Sequence, residues 1–149
     1  MKPYHKRFAR FDRRTLVITK ELRRGWSIST NQQKWAKMNR WLEDATRIYK
    51  APAVSLYVGD GDYYRPGRAR IVMIKPSIIT LLHEFRHHLQ HTVAPEGTLM
   101  SDIEDDARAW SLSLYHQIAP RTLRRLAEQN KVFHLTPDMK NRQTPEISS

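Results

Sequence analysis

The chain has 149 residues, 26 Lys+Arg against 15 Asp+Glu, and no Cys. That length suits one domain with a sizeable core. The lack of Cys excludes a disulfide scaffold, a thiolate metal site and a Cys nucleophile, so any metal ligand must be His, Asp or Glu. No apolar run is long enough to span a membrane. No apolar segment follows the basic start Met1-Lys2-Pro3-Tyr4-His5-Lys6-Arg7, so no secretory signal is expected and the expected location is cytoplasmic.

The charge is uneven. Residues 1–24 hold nine bases and two acids, while the remaining 125 residues hold 17 bases and 13 acids. This divides the chain into a basic N-terminal arm at 1–24, a folded domain at 25–133 and a polar C-terminal tail at 134–149. A basic arm can contact nucleic acid or an acidic partner; the ordinary alternative is a solubilising segment.

In chain order, the β-branched run Thr15-Leu16-Val17-Ile18-Thr19 predicts a short strand. Thr30 and Gln33 stand at capping-box spacing. Trp35, Met38, Trp41, Leu42, Ala45, Ile48 and Tyr49 then recur at three and four, which predicts a helix over 31–49 with a core-facing stripe. Residues 53–58 alternate and predict a strand, followed by a Gly59-Asp60-Gly61-Asp62 turn. That turn has too few carboxylates for an EF-hand calcium loop. A second strand, 68–74, is expected to pair antiparallel with 53–58. Ile78, Leu81, Leu82, Phe85, Leu89 and Val93 then share one face of a helix over 77–92. Further helices are expected over 101–118 and 121–129, with Pro120 in the first turn of the last. Helices kept apart from a small antiparallel sheet of two to three strands make an α+β fold.

Residues 83–87 read His-Glu-Phe-Arg-His. On a helix, His83 and His87 lie one turn apart, so both imidazoles project from one side and can share a Zn²⁺. Glu84 lies about 100° around the helix, within reach of a zinc-bound water but outside the ligand set. There a carboxylate can act as general base and return the proton to a leaving amine. A catalytic zinc needs a third protein ligand. The nearest acids are in Asp102-Ile103-Glu104-Asp105-Asp106. Glu104 and Asp106 flank the apolar stripe Ile103/Ala107/Trp110/Leu114, and a ligand must flank the stripe to face the His helix. Glu104 ranks first, Asp106 second and Asp102 third. His91 lies two turns from His83 and about 80° around the helix, too far to share the metal. His88 points elsewhere again. Tyr63, Tyr64, Arg86, Tyr115 and His116 are all open as oxyanion stabilisers.

The segment Leu81-Leu82-His83-Glu84-Phe85-Arg86-His87-His88-Leu89-Gln90 resembles the active-site helix of zincin metallopeptidases. Glu104-x-x-Ala107 resembles the glutamate helix of the gluzincins. Over residues 30–118 the chain looks most like minimal gluzincins and ImmA/IrrE-type peptidases. The resemblance implies a zincin-like fold with an N-terminal helix, a small sheet, the active-site helix, the glutamate helix and a further C-terminal helix. It also implies Zn²⁺ held by His83, His87 and Glu104, Glu84 as base, and a protein or peptide substrate. Such peptidases often cut a repressor or another DNA-bound protein, which the basic arm would suit. In many gluzincins an Asp or Asn four residues after the ligand Glu orients a ligand histidine. Here that position is Arg108, so either Asp105 or Asp106 takes the role or the metal is held weakly. By the same resemblance a substrate strand would pair with the free edge of 68–74, where Arg68 and Arg70 would favour acidic residues. The alternative function is a basic nucleic-acid- or partner-binding protein with this fold and little or no peptidase activity.

Overall fold

Asp12 opens the first helix of the computed structural model, which describes residues 9–129. Its side chain accepts a hydrogen bond from Arg14 N at 2.8 Å, and α1 runs Arg13–Arg23. The strand expected at 15–19 is therefore helical. β-Branching is a weak preference, and a capping Asp followed by buried Thr15, Thr19 and Leu22 at helical spacing overrides it. The threonines act as polar anchors. Thr19 Oγ1 donates to Thr15 O at 2.6 Å and accepts from Trp41 Nε1 at 3.0 Å. Thr15 Oγ1 bonds Tyr49 Oη at 2.9 Å. Ala9 N donates to Ser113 Oγ at 3.1 Å, and Arg23 Nη2 to Thr122 Oγ1 at 3.3 Å. The packed body thus reaches back to Ala9, beyond the boundary expected at 25. Residues 1–8 of the arm and the tail at 134–149 lie outside the described residues.

A 3₁₀ turn, Trp26–Ile28, leads to α2, Asn31–Tyr49. The Thr30/Gln33 capping box forms in both directions, at 3.1 and 2.8 Å. The inner face of α2 is Met38, Trp41, Leu42 and Ala45. Three strands follow: β1 Ser55–Val58, β2 Tyr63–Arg65 and β3 Arg70–Met73. Their order in the sheet is β1-β3-β2. β1 pairs parallel with β3, Ser55 opposite Arg70, and β2 pairs antiparallel, Tyr63 opposite Val72. The expected antiparallel pairing of 53–58 with 68–74 is corrected here. Tyr63–Arg65 supplies the hairpin partner instead, through the 3₁₀ turn Pro66–Arg68. The chain must then cross from β1 to the far side of β3, leaving β1 parallel. Gly59 allows that exit, because a Cβ there would lie 2.3 Å from Val72 Cγ1. With both edges of β3 occupied, no substrate strand can add to 68–74. The open edges belong to β1 and β2. Arg70 instead stacks its guanidinium over Tyr57, 4.1 Å from the ring centroid.

The last three helices are α3 Ile78–His91, α4 Ile103–Ile118 and α5 Pro120–Glu128. The result is α+β, five helices with a small mixed sheet, among the described residues. α3 is the centre, packed by α2, α4 and the sheet. Phe85 on α3 meets Trp41 edge-on at 5.0 Å and Trp110 at 6.3 Å between ring centroids. These three rings, with Leu81, Leu82 and Leu89, are fully or almost fully buried. Among the described residues no helix is long and apolar enough to cross a membrane.

Candidate metal centre

α3 is buried nearly all round, yet carries His83, Glu84, Arg86, His87, His88 and Gln90 in its buried part. Buried polar groups require partners, and here the partners define the site. His83 Nε2 lies 3.3 Å from Glu104 Oε1, and His87 Nε2 lies 3.1 Å from Glu104 Oε2. Three donor groups from α3 and α4 thus converge on one point. Glu84 joins them, with ligand atoms of His83, Glu84 and His87 all within 4.8 Å of one another. Asp106 and Asp102, the other acids considered as ligands, go elsewhere. Asp106 pairs with Arg86 at 2.7 and 3.2 Å. Asp102 caps α4, accepting from Asp105 N at 3.1 Å.

The donor set fits a zinc ion. Ligand atoms about 2.0 Å from a tetrahedral zinc lie about 3.3 Å apart, close to the spacing seen between Glu104 and the two imidazoles. Burial lowers the pKa of His83, which favours the neutral imidazole a metal requires. Burial, and then the facing Glu104 and Asp62 carboxylates, push the Glu84 carboxyl up to about 8. The hydrogen bond with His83 holds the Glu104 carboxyl down to about 2. A cation among these groups would relieve the repulsion between the two glutamates.

Gln90 orients one imidazole. Its Oε1 is 2.8 Å from His87 Nδ1, so it accepts the proton there and leaves Nε2 facing Glu104. Gln90 Nε2 donates to Asp106 Oδ2 and to Ile103 O, both at 2.8 Å. Asp106 also accepts from Leu99 N at 2.9 Å. Burial alone would raise its carboxyl, but the hydrogen bonds from Arg86, Leu99 and Gln90 outweigh it and hold the pKa below the ordinary value. The role expected of Asp105 or Asp106 is therefore divided: Gln90 touches the histidine and Asp106 fixes Gln90. The i, i+3 spacing of His87 and Gln90 is the sequence signal for this contact. Gln90→Leu should weaken zinc binding by about 10–100-fold with little change in helix content. Competition against a fluorescent chelator measures this, and an unchanged affinity would remove Gln90 from the site.

His88 is fully buried and structural. Its Nε2 donates to Pro52 O and its Nδ1 accepts from Tyr64 Oη, both at 2.8 Å. This pins β2 to α3. Burial lowers its pKa, consistent with a neutral ring between a carbonyl and a hydroxyl. His91 is exposed on the rim, its ring 5.8 Å from that of Tyr64.

The site opens into a cavity of about 370 Å³. His83, Glu84, His87 and His91 form the α3 side, with Ile103, Glu104 and Arg108 on the α4 side. Tyr63 and Tyr64 of β2, with the flanking Asp62 and Pro66, form the facing wall. Of the five groups considered as oxyanion stabilisers, only Tyr63 and Tyr64 line it. Tyr64 gives its hydroxyl to His88. Arg86 is buried against Asp106 and Trp110. Tyr115 is buried beside Arg23 of α1, and His116 does not line the cavity. Compared with protein-family models, curated proteins and solved structures, the chain matches none.

Proposed function

We propose that the chain is a small zinc-dependent metallopeptidase of the gluzincin type, acting on a peptide or protein substrate. The observation that carries this reading is the pair of contacts from Glu104 to His83 Nε2 and His87 Nε2, at 3.3 and 3.1 Å. His83, His87 and Glu104 would hold the metal. Zinc, when bound, supplies a Lewis acid that acidifies water and polarises a carbonyl. Glu84 stands beside the ligands without being needed as one. Its ionised form would be favoured by a cation held by the ligands, and that carboxylate would take the proton of the attacking water and return it to the amine as the peptide bond breaks. Gln90 holds His87 in the required tautomer. The β2 wall offers the open strand edge nearest the ligands, with Tyr63 facing the cavity. A cytoplasmic location is part of the same proposal.

The test has two arms. Purified chain is assayed for zinc, and zinc-loaded wild type and Glu84→Gln are incubated with a complex peptide mixture read by mass spectrometry. Glu84→Gln should keep the metal and fold but lose about 10²–10⁴ in rate, because an amide cannot accept the proton. Cleavage at wild-type rate by Glu84→Gln would exclude this base.

A second reading, a nucleic-acid- or partner-binding protein on this fold, draws on the exposed bases Arg10, Arg13, Lys20 and Arg23. It is favoured if the purified chain lacks zinc and binds duplex DNA with a steep salt dependence.

A further inference from the structure

Arg108 is a cation in an unfavourable place. It stands one helical turn after Glu104, on the same side of α4, and lines the same cavity. α4 runs against α3 in the opposite sense, since Ile103 meets Gln90 while Asp106 meets Arg86. Arg108 therefore lies towards the His83 end. A dication held by Glu104 would repel a guanidinium one turn away. Arg108 helps to lower the Glu104 carboxyl, but among the described residues no acid closes onto it as an ion pair. Glu104 faces the two imidazoles, Asp106 is paired with Arg86, and Asp102 caps the helix. Across the cavity, Asp62 Oδ1 accepts from Ile74 N at 3.0 Å. Arg108 makes no ion pair among the described residues, and it is the one Lys or Arg among those lining the cavity. A half-buried guanidinium pointing into a cleft presents a planar fork of donors suited to a carboxylate.

We propose that Arg108 determines the specificity of the cavity by binding a substrate carboxylate close to the scissile bond. The carboxylate comes from an Asp or Glu side chain or from the peptide's C-terminus. This rests on the metallopeptidase reading above. It transfers to Arg108 the acidic preference that the sequence suggested for Arg68 and Arg70, neither of which lines the cavity. An anion between Arg108 and the metal ligands also removes the like-charge conflict.

The experiment uses the zinc-loaded full chain as wild type, Arg108→Gln, Arg108→Lys and Glu84→Gln. Cleavage sites in a random peptide mixture are mapped first. Matched peptides are then compared, Glu against Gln at the selected position and free C-terminus against amide. Wild type should favour the carboxylate partner by at least about tenfold in kcat/KM. Arg108→Gln should lose that preference while still cutting the Gln or amide peptide, and Arg108→Lys should restore part of it. Binding of the same pairs to the metal-free chain should keep the preference, a readout independent of catalysis. Whichever pair shows the effect names the source of the carboxylate. An equal fall for both members of each pair in Arg108→Gln would overturn the proposal and make Arg108 a general rate-enhancing group. Glu84-dependent cleavage with no carboxylate preference overturns this inference alone. Absence of any Glu84-dependent cleavage overturns the metallopeptidase reading and this inference with it.

Discussion

His83→Ala should strip the chain of zinc. Wild type purified without added metal is expected to carry about one Zn²⁺ per chain, because three protein ligands are the usual complement of a catalytic site. Removing one imidazole leaves a single His and Glu104, whose carboxylate is half exposed, and the affinity should fall by at least about a hundredfold. Glu104→Ala should act similarly, whereas Glu104→Gln keeps one carbonyl oxygen and should retain weak binding. Asp102→Asn is the control: it keeps a capping side chain and sits outside the ligand set, so zinc should stay. Elemental analysis after gel filtration measures all four. Equal zinc in wild type and His83→Ala would end the proposal. The metal should also stabilise the fold, by about 4 kcal/mol at a thousandfold excess over Kd. A chelator should therefore lower Tm in wild type and leave His83→Ala unaffected.

The second large effect is on stability, at the buried pair Arg86–Asp106. Asp106 is fully buried and Arg86 is 3% exposed. The pair is bidentate, and the remaining capacity of the carboxylate is taken by Gln90 and Leu99 N. Asp106→Ala would leave a guanidinium buried without its counter-charge, and unfolding in urea should show a loss of about 3–5 kcal/mol. Asp106→Asn should lose less, since the amide oxygen still accepts. Replacing both partners by apolar residues of similar volume should recover much of the loss, because the desolvation of both charges disappears with them. A double-mutant cycle separates the coupling from the packing. A loss under about 1 kcal/mol for Asp106→Ala would show that solvent reaches Arg86 after all.

Which parts of this were legible depends on how far apart the interacting residues lie. The His83/His87 pair and the position of Glu84 follow from helix geometry alone. So does the capping box of α2, where Thr30 and Gln33 meet without help from the rest of the chain. Ranking Glu104 first needed one further step, that a ligand must flank the buried stripe of α4, and the structure brings that residue to both imidazoles. The sheet was less legible. A period of two describes parallel and antiparallel strands equally, and β2 is only three residues long, too short to announce itself. α1 is not legible locally, because Thr15 and Thr19 look like strand residues until Trp41 and Tyr49 are placed beside them. The Gln90–Asp106–Arg86 network joins α3 to α4 and depends on how those helices cross, which no local pattern encodes.

Besides its contacts with α2, the N-terminal segment is fastened by bonds that span most of the chain: Ala9, just before α1, reaches Ser113, and Arg23 reaches Thr122. During synthesis the first helix emerges long before either partner exists. It must wait, with Thr15, Thr19 and Leu22 covered at most by α2, until α4 and the start of α5 have left the ribosome. Loop closure over such separations is slow compared with helix formation. The native seat of α1 is therefore completed only late, and a nascent chain that ends before Thr122 lacks both the Arg23 contact and the apolar cover of Leu123 and Ala127.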